Sequence, residues 1–191
     1  MATVTPSRPP VFNVPNLLTT ARLGLGIFLF GLIEFEQWLA CLGVFALAAV
    51  TDWLDGYLAR KQGITSTLGR NLDPLVDKVV ICGAYIFLLR TPDSEAWLAP
   101  WMVTVVVARE LIITSLRSFM ENVGATFGAD WLGKVKMVLQ CAALFAIFIA
   151  QQWPSTAVNW TRDGLIYAML AATALSGLQY LWRAYAMVRW E

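Results

Sequence analysis

The chain has 191 residues, of which 58% are hydrophobic, above the ~45–50% that is usual for soluble domains. Fourteen basic residues nearly balance 13 acidic ones, so the net charge gives no sign of a nucleic-acid-binding protein. There is no histidine, which excludes the commonest general base and any histidine zinc site. The three cysteines lie singly in apolar stretches without metal-ligand spacing.

The first 16 residues are rich in proline and lack the pattern of a cleaved signal peptide, so we predict an N-terminal interfacial arm over residues 1–16. Six apolar stretches follow, each near the ~20 residues that a membrane-spanning helix needs. They cover residues 17–34, 38–60, 72–90, 97–120, 131–152 and 163–188. We therefore predict an all-α integral membrane protein with one six-helix domain over residues 17–191.

The basic residues predict the orientation of these helices. Twelve of the fourteen fall on the side that carries the N-terminus, the 60–78 and 117–136 connections and the C-terminus, whereas Arg90 and Arg162 fall on the other side. Because basic residues are concentrated on the cytoplasmic side of a membrane protein, we expect both termini to face the cytoplasm.

Four aspartates are grouped where the second span ends and the third begins, at Asp52, Asp55, Asp73 and Asp77. The spacings i, i+3 and i, i+4 place each pair on one face of a helix. Carboxylates this crowded near lipid repel one another and are costly to desolvate, and divalent cations such as Mg²⁺ or Mn²⁺ remove that cost. Singly, Asp52 or Asp73 can instead cap a helix, and Asp77 can pair with Lys78. Beside the aspartates, Gly56 and Ala59 leave room for a ligand, and Arg60 can bind phosphate oxygens.

The fixed residues of this stretch are Asp52, Asp55, Gly56, Ala59, Arg60, Gly69, Asp73 and Asp77. Their identities and gaps resemble the signature of the CDP-alcohol phosphatidyltransferases. The resemblance implies a metal-dependent homodimer with a two-metal site that opens to the cytoplasm, held by the four aspartates, with Asp77 also the proton acceptor. It further implies that Gly56, Arg60 and Ser66 contact the CDP group of a CDP-lipid donor.

Cationic side chains in the fourth and fifth spans offer a second site. Arg109, Arg117, Lys134 and Lys136 can form an anion pocket for a phosphorylated alcohol. Alternatively they are positive-inside residues that extend toward the membrane surface, or Arg109 pairs with Glu110 across helices.

Several landmarks are similar to the branch of the family that uses CDP-diacylglycerol and glycerol 3-phosphate, among them NVPNLLTTARLGL, LDPLVDK, ARELIITSLR and GKVKM. This similarity implies that Asn16, Thr19 and Arg22 lie near the CDP pocket, and it points to phospholipid biosynthesis. A short chain without a targeting arm favours a bacterial inner membrane, with a mitochondrial origin as the alternative. Met137 departs from the threonine usual in that branch. A cardiolipin synthase and a phosphatidylinositol-phosphate synthase remain alternatives within the family. A divalent-cation transporter is a remote one, because the aspartates cluster at one interface rather than at the bilayer midplane.

Overall fold

The structure is a computed structural model that describes residues 14–62, 67–122 and 131–188, with side chains for all of these except 14–19, 52–74, 121–122, 184 and 186–188. The described residues form six α-helices and one short 3-10 helix, with no strand among them. The α-helices are α1 Val14–Glu34, α2 Trp38–Gln62, α3 Thr67–Leu88, α4 Pro100–Asn122, α5 Trp131–Gln152 and α6 Thr156–Val188, and the 3-10 helix is Ser94–Ala96. Each predicted span therefore corresponds to one helix.

Three helices begin earlier than the sequence predicts. The α1 helix starts at Val14 rather than at residue 17, so residues 14–16 of the predicted arm are helical. The α6 helix starts at Thr156 rather than at residue 163, because the Ser155 hydroxyl accepts a hydrogen bond from the Val158 amide at 3.3 Å and so caps the first turn. The α3 helix starts at Thr67 rather than at residue 72. Asp73 and Pro74 consequently lie inside α3, where proline removes one helical hydrogen bond but does not end the helix.

The helices form a closed ring in the order α1, α2, α5, α6, α4, α3 and back to α1, because each helix packs against its two neighbours in that order. An additional contact joins α3 to α5 across the ring. Consecutive helices are connected by short segments, so the starts of α1, α3 and α5 lie at the same end of the bundle as the ends of α2, α4 and α6.

The two ends of the bundle differ in chemistry. The apolar core lies toward one end, in the later halves of α1, α3 and α5 and the earlier halves of α2, α4 and α6, and includes Leu29, Tyr85, Phe148 and Met169. Most of the buried polar side chains lie toward the other end, namely Arg22, Glu110, Lys136, Gln140, Thr173 and Ser176, whereas Thr91, Ser94 and Arg162 are buried at the apolar end. We call this second half of the bundle the polar end.

Glycines allow α1 and α3 to approach closely. A Cβ added at Gly26 would lie 2.5 Å from Val80 Cγ2, and one added at Gly83 would overlap the ring of Phe30. Gly26 lies one turn after Arg22, and Val80 lies one turn after Asp77. This close packing therefore determines how α1 is placed beside the aspartates of α3.

The outer surface of the bundle is rich in large apolar residues. Ile27, Phe28, Leu111, Val138 and Leu178 are all more than half exposed, and an exposed apolar surface of this kind is typical of a face that contacts lipid or another protein. Among the described residues, two segments are long and apolar enough by themselves to cross a membrane, namely Trp131–Gln152 and Thr156–Arg183.

Candidate active site at the polar end of the bundle

The four aspartates occupy helix interiors. Asp52 lies ten residues before the end of α2 and Asp77 ten residues after the start of α3, so each is about 15 Å along its helix from the connection between them. Asp55 and Asp73 are both closer to that connection, by three and four residues. Asp52 is not at the end of a helix and Asp73 is not at the start of one, which excludes the helix-cap interpretation of both. The two pairs are therefore carried at matching levels of two helices that both pack on α1.

Asp77 is the member of this set whose side chain the structure describes. Its Oδ1 atom accepts a hydrogen bond from Nη1 of Arg22 at 3.1 Å, and the arginine side chain is only 5% exposed. Lys78 points to a different helix, since its ammonium donates to the Thr114 hydroxyl on α4. The predicted alternative, in which Asp77 pairs with Lys78, is thus replaced by an ion pair between α1 and α3.

Glu110 is the centre of a buried ionic cluster at the polar end. Its carboxylate pairs with the Lys136 ammonium on α5 and, at 3.3 Å, with Nη1 of the neighbouring Arg109. Glu110 and Lys136 are both 5% exposed. The Glu110 backbone carbonyl accepts a hydrogen bond from the Thr114 hydroxyl, the same group that binds Lys78. This chain of contacts brings positive groups from α3, α4 and α5 together.

The alternative in which Arg109 pairs with Glu110 is therefore also seen, although within one helix rather than across helices. It does not exclude an anion pocket, because one carboxylate is surrounded by more than one cation. Nε of Arg109 is buried and has no hydrogen-bond partner within the described part of the chain.

Arg117 extends the cluster toward α6. Its Nη2 donates to the Tyr180 hydroxyl at 2.7 Å. Its guanidinium carbon lies 5.6 Å from the centroid of the Tyr180 ring, and that of Arg109 lies 5.8 Å from the same centroid. Lys134 is exposed in the first turn of α5, and the contacts just given do not include it.

The predicted donor site lies mostly outside the described residues. Ser66 is in the undescribed 63–66 segment. The other predicted donor residues belong to helices by their backbones: Asn16 and Thr19 to α1, Gly56, Ala59 and Arg60 to α2, and Gly69 to α3. Their side chains are not among those that the structure describes, and neither are the side chains of Asp52, Asp55 and Asp73. The contacts of these residues with CDP and metal therefore remain predictions. Arg22, predicted near this pocket, is found at the side chain of Asp77.

The arrangement can bind anions beside carboxylates. The cluster contains one buried carboxylate, that of Glu110, and four basic side chains, those of Lys78, Arg109, Arg117 and Lys136. Asp77 is the neighbour of Lys78 in α3. An all-oxygen donor set of aspartates suits Mg²⁺ or Mn²⁺, and the interior positions of all four in α2 and α3 are compatible with a shared ion site.

Comparison with known proteins assigns the family. Residues 12–178 match the family described as CDP-alcohol phosphatidyltransferase. The chain belongs to this family. The match includes the four aspartates and all four predicted acceptor cations, and it ends two residues before Tyr180.

Curated relatives of this phosphatidyltransferase include proteins from Pectobacterium atrosepticum and Bacillus subtilis. The chain is 36% identical over 176 residues to a CDP-diacylglycerol–glycerol-3-phosphate 3-phosphatidyltransferase of Pectobacterium atrosepticum, covering 89% of this chain and 93% of the relative. It is 33% identical over 186 residues to the protein of the same description in Bacillus subtilis, covering 89% and 94%.

Solved structures support the fold of the phosphatidyltransferase. The phosphatidylinositol phosphate synthase of Mycobacterium tuberculosis with CDP-DAG bound has a TM-score of 0.69 at 16% identity, covering 92% of this chain and 88% of that one. A second structure of that synthase, in complex with manganese and citrate, has a TM-score of 0.61 at 19% identity, covering 90% and 80%.

Proposed function

We propose that this chain transfers the phosphatidyl group of CDP-diacylglycerol to glycerol 3-phosphate, giving phosphatidylglycerol phosphate and CMP. The relatives that carry this description are 33–36% identical over 89% of the chain. The observation that carries the proposal within the structure is the gathering of Lys78, Arg109, Arg117 and Lys136 at the end of the bundle where Asp77 lies. A phosphorylated acceptor needs such a cationic site next to the group that removes its proton.

In this proposal Asp52, Asp55, Asp73 and Asp77 hold two divalent cations, Mg²⁺ or Mn²⁺. When bound, such ions neutralise the pyrophosphate and stabilise charge on the departing phosphate. The manganese in the structure of the mycobacterial synthase is consistent with this metal requirement. The donor site for the CDP-lipid is formed by Gly56, Ala59, Arg60, Ser66, Gly69, Asn16 and Thr19.

The chain's own side chains then have separable roles. Arg22 holds the Asp77 carboxylate in place between α1 and α3. Asp77 accepts the proton of an acceptor hydroxyl, whose oxygen forms a bond to the phosphorus attached to diacylglycerol. The bond from that phosphorus to the CMP oxygen breaks, and CMP leaves with the electron pair. Arg109, Arg117, Lys134 and Lys136 bind the acceptor's phosphate.

We further propose that all six helices span a bacterial inner membrane, with both termini and the active site facing the cytoplasm, as one domain over residues 17–191 preceded by an interfacial arm. The distribution of charge supports this orientation, because the described basic residues of the ionic cluster lie at the polar end. At the other end Arg90 pairs with Glu34 at 3.0 Å, and Arg162 lies 4.8 Å from the centre of the Trp97 ring. The family resemblance leads us to propose a homodimer as well.

The acceptor is tested by offering alcohols separately to the purified protein with CDP-diacylglycerol and Mg²⁺ or Mn²⁺, and measuring CMP release. Glycerol 3-phosphate is expected to support release, whereas inositol phosphate, serine and phosphatidylglycerol are not. Release with inositol phosphate alone would instead assign the reaction named for the mycobacterial structural neighbour, and release with phosphatidylglycerol alone would indicate a cardiolipin synthase.

A further inference from the structure

Tyr180 lies where three helices of the polar end meet. It is 3% exposed on α6, and its hydroxyl is 2.7 Å from Nη2 of Arg117 on α4. The same hydroxyl is 4.0 Å from the place where a Cβ on Gly133, in the first turn of α5, would stand. Because the family match ends at residue 178, this tyrosine is not among the residues that the family comparison covers.

The Tyr180 ring contacts two arginines rather than one. The guanidinium carbons of Arg109 and Arg117 lie 5.8 and 5.6 Å from its centroid, within the roughly 6 Å over which a cation is attracted to an aromatic ring. The negative face of an aromatic ring attracts cations, so one ring interacts favourably with both guanidinium groups.

A tyrosine interacts with both arginines without neutralising their positive charge. A carboxylate in the same place would neutralise one arginine and compete with an anionic ligand, as Glu110 does in part through Nη1 of Arg109. The phenol leaves both arginines positive, and the buried Nε of Arg109 has no hydrogen-bond partner in the described part of the chain.

Arg109 also packs against α6 one turn before Tyr180. A Cβ on Gly177 would be 3.4 Å from Cγ of Arg109, an ordinary van der Waals distance, so the aliphatic part of that arginine lies directly against the helix.

We propose that Tyr180 is a positioning residue that holds Arg109 and Arg117 together as a two-arginine clamp for the phosphate of the acceptor alcohol. The proposal rests on the proposed function, in which both arginines bind that phosphate. Tyr180 itself contacts the arginines and not the reacting atoms.

The test compares Tyr180→Phe and Tyr180→Leu with Tyr167→Phe, a matched control because Tyr167 is on the same helix and 61% exposed. Removing the hydroxyl costs one hydrogen bond to a charged group, so Tyr180→Phe is expected to raise the acceptor's KM about three- to tenfold. Tyr180→Leu, which also removes the ring, is expected to raise it further, by roughly 10- to 30-fold. The kcat and the KM for CDP-diacylglycerol are expected to stay within about twofold of the native values, and the control is expected to match the native protein.

A double-mutant cycle separates positioning from general destabilisation. If Tyr180 acts through Arg117, Tyr180→Phe adds nothing to the KM increase caused by Arg117→Gln, whereas it adds fully to that of Lys134→Gln. Should Tyr180→Leu fail to fold, Tyr180→Phe, which keeps the ring and the volume, decides alone. An unchanged acceptor KM in Tyr180→Phe, equal rises in both KM values, or full additivity with Arg117→Gln would contradict the proposal.

The kinetics are run with whichever acceptor supports CMP release by the native protein. If that acceptor is not glycerol 3-phosphate, the proposed function fails while the role of Tyr180 is still measured. If glycerol 3-phosphate is the acceptor and the Tyr180 variants match Tyr167→Phe, only the clamp fails.

Discussion

Asp77 is the aspartate of the signature whose surroundings the structure describes. Its contact with the nearly buried Arg22 joins α1 to α3, and its neighbour Lys78 bonds to α4. These contacts hold the middle of α3 against two other helices, so a small change at residue 77 acts on a side chain that is already fixed in position.

Replacing Asp77 with Asn keeps the size of the side chain but removes its capacity to accept a proton at pH 7. A general base contributes roughly 10²- to 10⁴-fold to a rate, so we expect CMP release to fall by at least about a hundredfold while CDP-diacylglycerol binding is largely kept. Asp93→Asn is the matched control, because Asp93 is exposed at the opposite end with a φ of 56°, which asparagine tolerates. Turnover within a few-fold of native in Asp77→Asn would exclude the proton-acceptor role.

Single residues differed in how well the sequence predicted them. The four aspartates and the predicted acceptor cations stand out in the sequence because charged groups in an apolar chain are few and costly. The sequence could not say that Glu110 pairs with Lys136, since that contact depends on how α4 faces α5. Tyr180 was not predicted at all, because an aromatic residue in an apolar helix looks like core until its neighbours are known.

At the scale of helices, the lengths of the apolar stretches predicted the number and order of the helices, whereas three helix starts, those of α1, α3 and α6, lie earlier than predicted. The start of α6 depends on the Ser155 cap, a signal present in the sequence but masked by the polar residues around it. Local sequence preference predicts that α3 begins at Pro74, because proline is favoured at the first position of a helix. The helix instead begins at Thr67. The ring order of the helices depends on side-chain packing and was not predicted.

Breaking the Glu110–Lys136 pair, which joins α4 to α5 across the ring, is expected to destabilise the bundle strongly. Replacing Lys136 with Met leaves a buried carboxylate with one fewer cation, and losing one partner of a buried pair costs roughly 3–5 kcal/mol of unfolding free energy. The double variant Lys136→Met with Glu110→Gln is expected to lose less than the sum of the two single changes. Glu34→Gln is the control, because its partner Arg90 is 72% exposed and such pairs contribute only about 0–1 kcal/mol.

Unfolding in detergent, followed by the loss of helical circular dichroism, measures this cycle. A coupled buried pair would be contradicted by either of two results. One is a free energy of unfolding for Lys136→Met that is no lower than that of Glu34→Gln. The other is a double variant whose loss of unfolding free energy equals the sum of the losses of the two single variants.

The close approach of α1 and α3 predicts a difference between two glycines of the same helix. Gly26→Ala places a methyl group against Val80, whose branched side chain has little freedom in a helix, and overpacking costs about 1–3 kcal/mol. Gly31→Ala meets nothing within 4 Å and is expected to be neutral or to stabilise by up to about 1 kcal/mol. Because the same contact carries the Arg22–Asp77 pair, Gly26→Ala is also expected to lower activity. Equal melting temperatures for the two variants would show that this contact is not tight.

At the scale of the whole molecule, the orientation of the bundle is the main expectation. A Cys introduced by Glu95→Cys, in the exposed 3-10 helix at the end away from the aspartates, is expected to react with a membrane-impermeant maleimide in intact spheroplasts. Green fluorescent protein fused to the C-terminus of the full chain is expected to fluoresce, whereas alkaline phosphatase fused there is expected to be inactive. Active alkaline phosphatase at the C-terminus would place the ionic cluster on the wrong side of the membrane for a cytoplasmic substrate.

The central claim is that aspartates and cations at one end of this bundle join a CDP-lipid to a phosphorylated alcohol with the help of divalent metal. The most direct measurement is the incorporation of labelled glycerol 3-phosphate into lipid by the purified protein with CDP-diacylglycerol, with Mn²⁺ or Mg²⁺ and again after chelation. Labelled phosphatidylglycerol phosphate that forms with metal and disappears with chelator is the predicted result. Undiminished incorporation in the presence of chelator, or no labelled lipid with any metal, would contradict the account.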